Sequence, residues 1–598
     1  MSAALDFASA VQAVSEWLEG LPGSVRRLSA RELSAYDHHR GFNTGWRLQV
    51  SFDDGARHID ILIDDWFPHS APRIALVDRP EFLTWPHIER DGVLCLLPST
   101  ASCDPTAPVG VVQHVLDSAC QLVQESIAGS NADDFRQEFL SYWGWAVPDK
   151  SPRLYSLLNP APPTRQVRLW RGTSYFLLGD TDADVTNWIS HRRGERIEAT
   201  DNTETALLLW LDAPLVPAEY PRSGADLLAL ARRAGGYDLI TRAAVEEPNR
   251  IVVAIGSTTA NGPCFGAVTL PTPQTVLKGS NRRNLTLTAG FRKGKLPAGV
   301  LVSRYFSGTP VVKAVVDRID ARWVHGRDRS PHAEQLRAAN VVLLGCGSVG
   351  APVAMALTQA GVGRLSLVDP ETLTWSNISR HPLGASAVGK NKAEALADRI
   401  RRDCPQIVEI TGYPRRWQDL ARTSPQLVES PDLIVSAIGD WEAEGALNEW
   451  HVTRGRQRPI LYGWTEPHAC AGHAVMIRAT GGCLGCGLDN HGALLSPVTT
   501  WPSPTYRQEP ACGGVYQPYG PIELGHIVSI VAELALKGIL GSEPTSTERV
   551  WVGDRGLLAS CGGSWSSSWR SLAEANGPTG FIKDNVWQRR ADCSVCGR

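Results

Sequence analysis

A multidomain α/β chain is predicted from three features of this 598-residue sequence. First, Val341–Leu344 is a short apolar run that breaks into Gly345-Cys346-Gly347-Ser348-Val349-Gly350, continues as a helical pattern, and returns to an apolar run at Leu365–Val368. That is a strand–turn–helix–strand unit with parallel strands. Second, residues 1–147 read as a helix, three alternating strands and two closing helices, an α+β order. Third, residues 165–330 alternate apolar runs with helical stretches, which predicts a middle α/β domain. Residues 148–164 between them carry Pro148, Pro152, Pro160, Pro162 and Pro163 and read as a linker. Residues 331–598 make the last domain.

Composition sets limits on function. A net charge of -3 argues against a nucleic-acid binder that works through bulk positive charge. The longest uncharged run, Ala338 to Gly363, is long enough to suggest a membrane span. It holds five glycines and the glycine-rich turn, so strand plus helix is the reading, and no membrane partner is expected. The opening MSAALDFASAVQAVSEW lacks the basic start of a secretory signal, so a cytoplasmic protein is expected. Thirteen cysteines in that setting point to free thiols, metal ligands or nucleophiles rather than disulfides.

Leu5, Phe7, Val11, Val14, Trp17 and Leu18 recur at helical spacing and stop at Gly20–Gly23. Trp46–Phe52, His58–Ile63 and Ile74–Val77 read as an antiparallel meander, and Val111–Ala128 and Ala132–Trp143 as helices. Between meander and helices, His87 of Trp85-Pro86-His87 stands eight residues before Cys95 in Gly92-Val93-Leu94-Cys95-Leu96. This order resembles that of ubiquitin-conjugating domains, in which H-P-N precedes the cysteine of G-x-I-C-L by the same spacing. Phe67-Pro68 and Pro72 also keep the family's proline spacing. The resemblance implies that Cys95 carries a thioester. His87 occupies the position of the Asn, where it would support an oxyanion by a hydrogen bond or act as a base.

The middle domain offers Leu207–Leu211, Ala225–Ala234, Ile251–Ile255, Phe265–Leu270 and Val300–Phe306, with no phosphate loop or catalytic cluster. Larger ubiquitin-activating enzymes pair an active adenylation half with a degenerate one, and this region is weighed as such a partner against a plain spacer.

In the last domain the glycines let the backbone turn tightly beside a phosphate, and the helix that follows presents unpaired N–H groups to it. Asp369 ends the second strand, 19 positions after Gly350, where a ribose-binding acid belongs. Ser376-Asn377-Ile378-Ser379-Arg380 follows, then Gly389-Lys390-Asn391-Lys392 opening a helix, then an apolar strand ending at Gly439-Asp440. Hydride transfer has little need for that Arg and Lys, whereas attack on a triphosphate needs cations. This set resembles the adenylation domain of the ThiF/MoeB family, bacterial relatives of ubiquitin-activating enzymes, with a Rossmann-like fold. That family reads G-x-G-x-x-G, D, S-N-x-x-R-Q, a Lys opening a helix, and a strand ending in Asp; here His381 replaces the Gln. The resemblance implies ATP bound by Gly345, Gly347, Gly350 and Asp369, phosphate contacts from Asn377, Arg380 and Lys392, catalytic charge stabilisation by Arg380, and Mg²⁺ at Asp440.

Cys483-x-x-Cys486 and Cys593-x-x-Cys596 are two pairs that can close a Cys₄ structural zinc site, a long-range clip with no open position for catalysis. Cys512 sits among glycines ahead of an apolar helix from Ile522, where the ThiF-like family places its acyl-accepting cysteine; Cys470 and Cys561 are rivals.

The whole layout resembles the bacterial ubiquitin-transferase-like fusion proteins of CBASS antiphage operons. That implies adenylation of a protein C-terminus, two thioesters, and conjugation to target lysines. The donor would be a cGAS/DncV-like nucleotidyltransferase or a ubiquitin-like modifier, and the enzyme a homodimer. A sulfur-carrier adenylyltransferase of the ThiF/MoeB type is the alternative and leaves residues 1–330 unexplained. A non-enzymatic scaffold and an NAD dehydrogenase stand behind it.

Overall fold

The structure is a computed structural model and describes residues 6–96, 103–195, 203–246, 250–271, 274–275, 284–285, 290–292, 296–307, 309–508, 515–541 and 545–597. The chain divides into two compact units, 1–154 with 159–176 and 204–317, and 155–158 with 177–203 and 318–598.

The first unit begins with the helix Phe7–Glu19, N-capped by the Asp6 carboxylate, which accepts from the Ser9 N–H at 2.8 Å. Its Ala10, Val11, Val14 and Leu18 are buried, one stripe of a 3.6-residue period. Strands Arg26–Arg27, Phe42–Phe52, Gly55–Asp64 and Arg73–Leu76 form the expected antiparallel meander. Ile59, Ile61 and Ile63 pack into one core with the first helix and with the helix Pro108–Ala128. On the opposite face Asp60 is fully buried, and its charge is met by Arg47 in two 2.7 Å hydrogen bonds and by the Tyr36 hydroxyl at 2.8 Å.

The helix expected over Ala132–Trp143 is two helices, Asp134–Gln137 and Phe139–Trp145, broken at Glu138 (φ −108°, ψ 29°). Phe139 and Trp143 do not close a separate N-terminal domain. They lie in one core with Leu207, Val253 and Val268, and the Trp143 indole donates to the Ala314 carbonyl at 2.9 Å. Strands Arg165–Arg171, Thr203–Trp210, Ile251–Thr259, Gly262–Leu270 and Val312–Arg318 run in that sheet order. Thr203–Trp210 and Ile251–Thr259 are parallel, and the following pairs are antiparallel. Within 148–164 the structure places a strand, Leu154–Ser156, with both ends buried. Prolines mark this stretch as a connector in sequence, yet the gap between Pro152 and Pro160 leaves room for a short strand.

The second unit is built on an eight-stranded sheet in the order Glu409–Tyr413, Arg364–Val368, Asn340–Leu344, Leu433–Ser436, Ile460–Thr465, Ala471–Ile477, Thr547–Val552, Phe581–Val586. The first five are parallel and the last three antiparallel. Chain order reverses on either side of Asn340–Leu344, so a crevice opens at the C-terminal ends of the central strands. Helix Pro521–Ile539 buries Leu524, Ile527, Ile530, Val531 and Leu534 in the core of this sheet. Helix Asp182–Arg193, sequence of the expected middle domain, also belongs to this unit; its His191 ring contacts the Pro405 carbonyl at 3.2 Å.

Candidate functional site

Strand Asn340–Leu344 delivers the chain into the glycine turn, and helix Gly350–Gln359 leaves it. Gly350 admits no side chain: a Cβ there would lie 1.8 Å from the Gly345 carbonyl oxygen. The turn therefore stays tight enough to aim the helix N-terminus across the crevice. Asp369 locks it. Its Oδ2 accepts from the Cys346 N–H at 2.7 Å and its Oδ1 from the Glu371 N–H at 2.7 Å. Burial pushes the Asp369 carboxyl up, and those two N–H groups and Lys392 pull against that rise.

A cavity of about 570 Å³ opens there. Gly345, Gly347, Asp369 and Asp440 line it together. Asp440 ends the loop after strand Leu433–Ser436 and N-caps helix Trp441–Thr453, accepting from the Ala443 N–H at 2.9 Å. Gly350, Asn377, Arg380 and Lys392 are not among its lining residues. Asn377 Oδ1 accepts from the Thr374 N–H and hydroxyl. Arg380 lies 4.6 Å over the Tyr519 ring and donates to the Gln517 carbonyl at 3.4 Å. Lys392 opens its helix as expected and pairs at 2.5 Å with Glu371, which does line the cavity.

Sequence reasoning missed Arg415 and Arg416. Both are exposed on the loop before helix Trp417–Thr423 and line the cavity. Neither guanidinium has a hydrogen-bond or ion-pair partner among the described residues. The only sequence signal was a pair of cations just past the strand Glu409–Tyr413, which pairs with Arg364–Val368. The His381 departure is absorbed structurally: its Nδ1 accepts from the Leu383 N–H at 3.1 Å, so Nε2 carries the proton and donates to the Cys346 carbonyl at 2.8 Å. Burial lowers its pKa, which suits that neutral tautomer.

In the first unit, Cys95 is exposed at the end of a loop pinned to strand Arg73–Leu76. Gly92 makes the pinning possible. Its φ is +94°, and a Cβ there would meet the Leu76 carbonyl at 2.6 Å. The Cys95 N–H donates to the His87 carbonyl at 2.9 Å. His87 itself has φ +60° and a mostly buried ring. Its Nε2 lies 3.0 Å from Asp134 Oδ2 and its Nδ1 3.5 Å from Glu138 Oε2. A hydrogen bond with the Cys95 thiol raises its pKa to about 9 against burial, with Asp134 and Glu138 adding to the rise. His87 thus stands between Cys95 on one side and two carboxylates on the other.

Cys483, Cys486, Cys593 and Cys596 are buried with their sulfur atoms all within 4.8 Å of one another. Three of the separations are 3.4, 3.7 and 4.0 Å. A tetrahedral zinc with 2.3 Å bonds needs about 3.8 Å between sulfurs, so the set fits that ion. Cys512 lies outside the described residues, between the paired strands Arg507–Gln508 and Val515–Tyr516. Of its rivals, Cys470 is fully buried and its thiol is pushed up to about 12 by burial and by Cys561, while Cys561 is partly exposed. No helix among the described residues is long and apolar enough to cross a membrane.

Two family models match separate parts of the chain. The ThiF family model matches residues 325–555, and the prokaryotic E2 family B model matches residues 25–152. The chain is similar to the ATP-dependent ubiquitin transferase-like protein Cap2 of Pseudomonas aeruginosa (strain BWHPSA011 / Pa011), 26% identical over 526 residues, which span 83% of this chain and 89% of that protein. It is 36% identical to the adenylyltransferase and sulfurtransferase MOCS3 of Mus musculus over 20% of this chain and 26% of that one. It is 29% identical to the sulfur carrier protein ThiS adenylyltransferase of Bacillus subtilis (strain 168), over 26% of this chain and 46% of that one.

Proposed function

Because the chain is an ATP-dependent, ubiquitin-transferase-like enzyme that joins a prokaryotic E2 region to a ThiF adenylation region, we propose that it activates the C-terminus of one protein and conjugates it to lysines of another. The observation that carries this reading is the pairing, in one polypeptide, of a nucleotide-sized cavity at Asp369 with an exposed Cys95 bonded to His87.

In the first step a carboxylate oxygen of the donor attacks the α-phosphorus of ATP, the bond to the bridging oxygen breaks, and pyrophosphate leaves. Asp369 holds the ribose, and the N–H groups after Gly347 face the phosphates. Arg380 and Lys392 supply positive charge on leaving Tyr519 and Glu371, beside Arg415 and Arg416 already on the wall. In the second step the Cys512 thiolate attacks the acyl carbon and AMP departs. In the third the Cys95 thiolate displaces Cys512. In the last a lysine amine attacks the Cys95 thioester, the C–S bond breaks with the Cys95 thiolate leaving, the amine proton passes to solvent, and His87 supports the oxyanion by a hydrogen bond. Fusion of both regions raises the effective concentration of one cysteine at the other.

Asp440 offers one carboxylate beside the phosphates, which fits Mg²⁺, an ion that binds through one or two carboxylates plus substrate phosphate and neutralises charge there. Zinc in the Cys₄ set would be structural. The acyl donor in this reading is a cGAS/DncV-like nucleotidyltransferase of an antiphage system, and the adenylation regions pair as a homodimer. The similarity to a ubiquitin transferase-like protein along most of the chain supports the conjugating chemistry. Conjugation of a bacterial ubiquitin-like modifier uses the same chemistry. A sulfur-carrier adenylyltransferase is the second reading, favoured by MOCS3 and ThiS-type relatives, but that likeness leaves Cys95 without a task.

ATP–pyrophosphate exchange tests the donor. Exchange that requires a nucleotidyltransferase with its native C-terminus supports the proposal. Exchange with a thiocarboxylate-forming sulfur carrier alone overturns it.

A further inference from the structure

We propose that Asp134, Glu138 and Tyr142 form a positioning row that orients His87 against Cys95, and that the strands packed on Trp143 hold this row in place. The consequence for catalysis rests on the reading of Cys95 as the acyl carrier; the geometry does not.

The three residues stand at i, i+4 and i+8, on one face of the two short helices broken at Glu138. Each meets His87. Asp134 is 3.0 Å from Nε2, Glu138 is 3.5 Å from Nδ1, and the Tyr142 hydroxyl accepts from the His87 N–H at 3.0 Å. Tyr142 also donates to Glu138 at 3.2 Å, so the row is linked internally. The Tyr142 bond to the main chain fixes the left-handed backbone of His87, a conformation unfavourable for a residue with a Cβ. The groups facing the imidazole are therefore Cys95 from its own loop and Asp134, Glu138 and Tyr142 from the helices. Cys95 first, and then the two carboxylates against the ring, favour imidazolium over the pull of burial, and with a folded-state value of about 9 that charge persists through neutral pH and is lost as pH rises past it. An imidazolium beside Cys95 places positive charge where a thioester is attacked.

The row is anchored from outside. Trp143, next to Tyr142, donates to the Ala314 carbonyl, and a Cβ on Gly266 would lie 2.5 Å from its indole. The middle strands thus serve as the rear wall of the helix that holds His87. This gives the region between the two catalytic parts a task that requires no second adenylation site.

The test is alkylation of Cys95 in the full chain by iodoacetamide without ATP, read by peptide mass spectrometry from about pH 5 to about pH 10. Side chains of Asp134 and Glu138 are 42% and 45% exposed, so the isosteric Asp134→Asn/Glu138→Gln variant keeps its fold. It is expected to alkylate about tenfold more slowly at neutral pH, with its rise moved to higher pH. Asp134→Glu is expected to keep the wild-type profile. Superimposable profiles for the wild type and the double variant would overturn the proposal. Since no acyl donor enters the assay, it reads the row alone; a wild-type chain with the expected profile that forms no thioester on Cys95 when given ATP and a donor in a separate incubation would count against the conjugation reading instead.

Discussion

Asp369 and Cys346, 23 residues apart, are joined by a 2.7 Å hydrogen bond from the Cys346 N–H to Asp369 Oδ2. The acid to which the proposed function gives the ribose thus also fixes the glycine turn. Asp369→Asn keeps one acceptor for that N–H and is expected to lower ATP affinity by about tenfold or more with little loss of stability. Asp369→Ala strands the buried N–H and should add a destabilisation of about 1–3 kcal/mol. Calorimetric titration with ATP and thermal unfolding separate the two effects.

The side chains of Arg415 and Arg416 are exposed and make no hydrogen bond or ion pair among the described residues. Arg415→Ala and Arg416→Ala are expected to change stability by under about 0.5 kcal/mol. Each should raise the KM for ATP several-fold or more in pyrophosphate exchange, because cations beside phosphate act through strong charge-assisted bonds.

His473 is fully buried between Glu466 at 3.0 Å and Glu548 at 2.9 Å, under the stacked Trp464 ring. Burial pulls its pKa down, but the hydrogen bonds to both glutamates outweigh it and raise the value to about 9. A folded value above the ordinary 6.5 means that this stabilisation is complete below that pH and fades as pH rises through about 9. The unfolding temperature of the wild type should fall across that window. His473→Gln should flatten the dependence and cost about 3–5 kcal/mol at neutral pH by leaving buried carboxylates unpaired.

The Cys₄ set clips the C-terminal segment to the sheet, and Trp587 reinforces it by donating to the Cys483 carbonyl at 2.8 Å. Metal analysis is expected to find one zinc per chain. Cys593→Ser should lose the metal, destabilise the second unit by on the order of several kcal/mol, and open the last residues to protease.

Gly266→Ala places a methyl against the Trp143 indole. It is expected to slow Cys95 alkylation several-fold without removing any group that touches His87, as a shift of the rear wall displaces the acidic row. Iodoacetamide labelling at neutral pH reads this directly.

The N-terminal helix, the meander and the β–α–β unit at Gly345–Gly350 were legible because each is coded locally, by period and by glycine spacing. The Cys₄ set was legible because C-x-x-C spacing carries its own chemistry. Asp134 and Glu138 were not, since two acids four apart on a helix look like an ordinary solvated face; their meaning depends on His87, 47 residues away from Asp134. The break at Glu138 was hidden for the same reason, since the period runs on through it. The join between Trp143 and the middle strands, and the transfer of Asp182–Arg193 to the second unit, depend on packing between segments far apart in sequence. Periodicity within either segment does not encode that.

The central claim is that one acyl group passes from its adenylate to Cys512 and then to Cys95. Non-reducing gels of wild type, Cys95→Ala and Cys512→Ala, each incubated with ATP, Mg²⁺ and lysate of the native cells, test it most directly. The account predicts a thiol-sensitive, ATP-dependent adduct on the wild type that resides on Cys512 alone when Cys95 is removed and disappears when Cys512 is removed. An adduct that forms on the same residue and to the same extent with Cys95→Ala as with the wild type would contradict it.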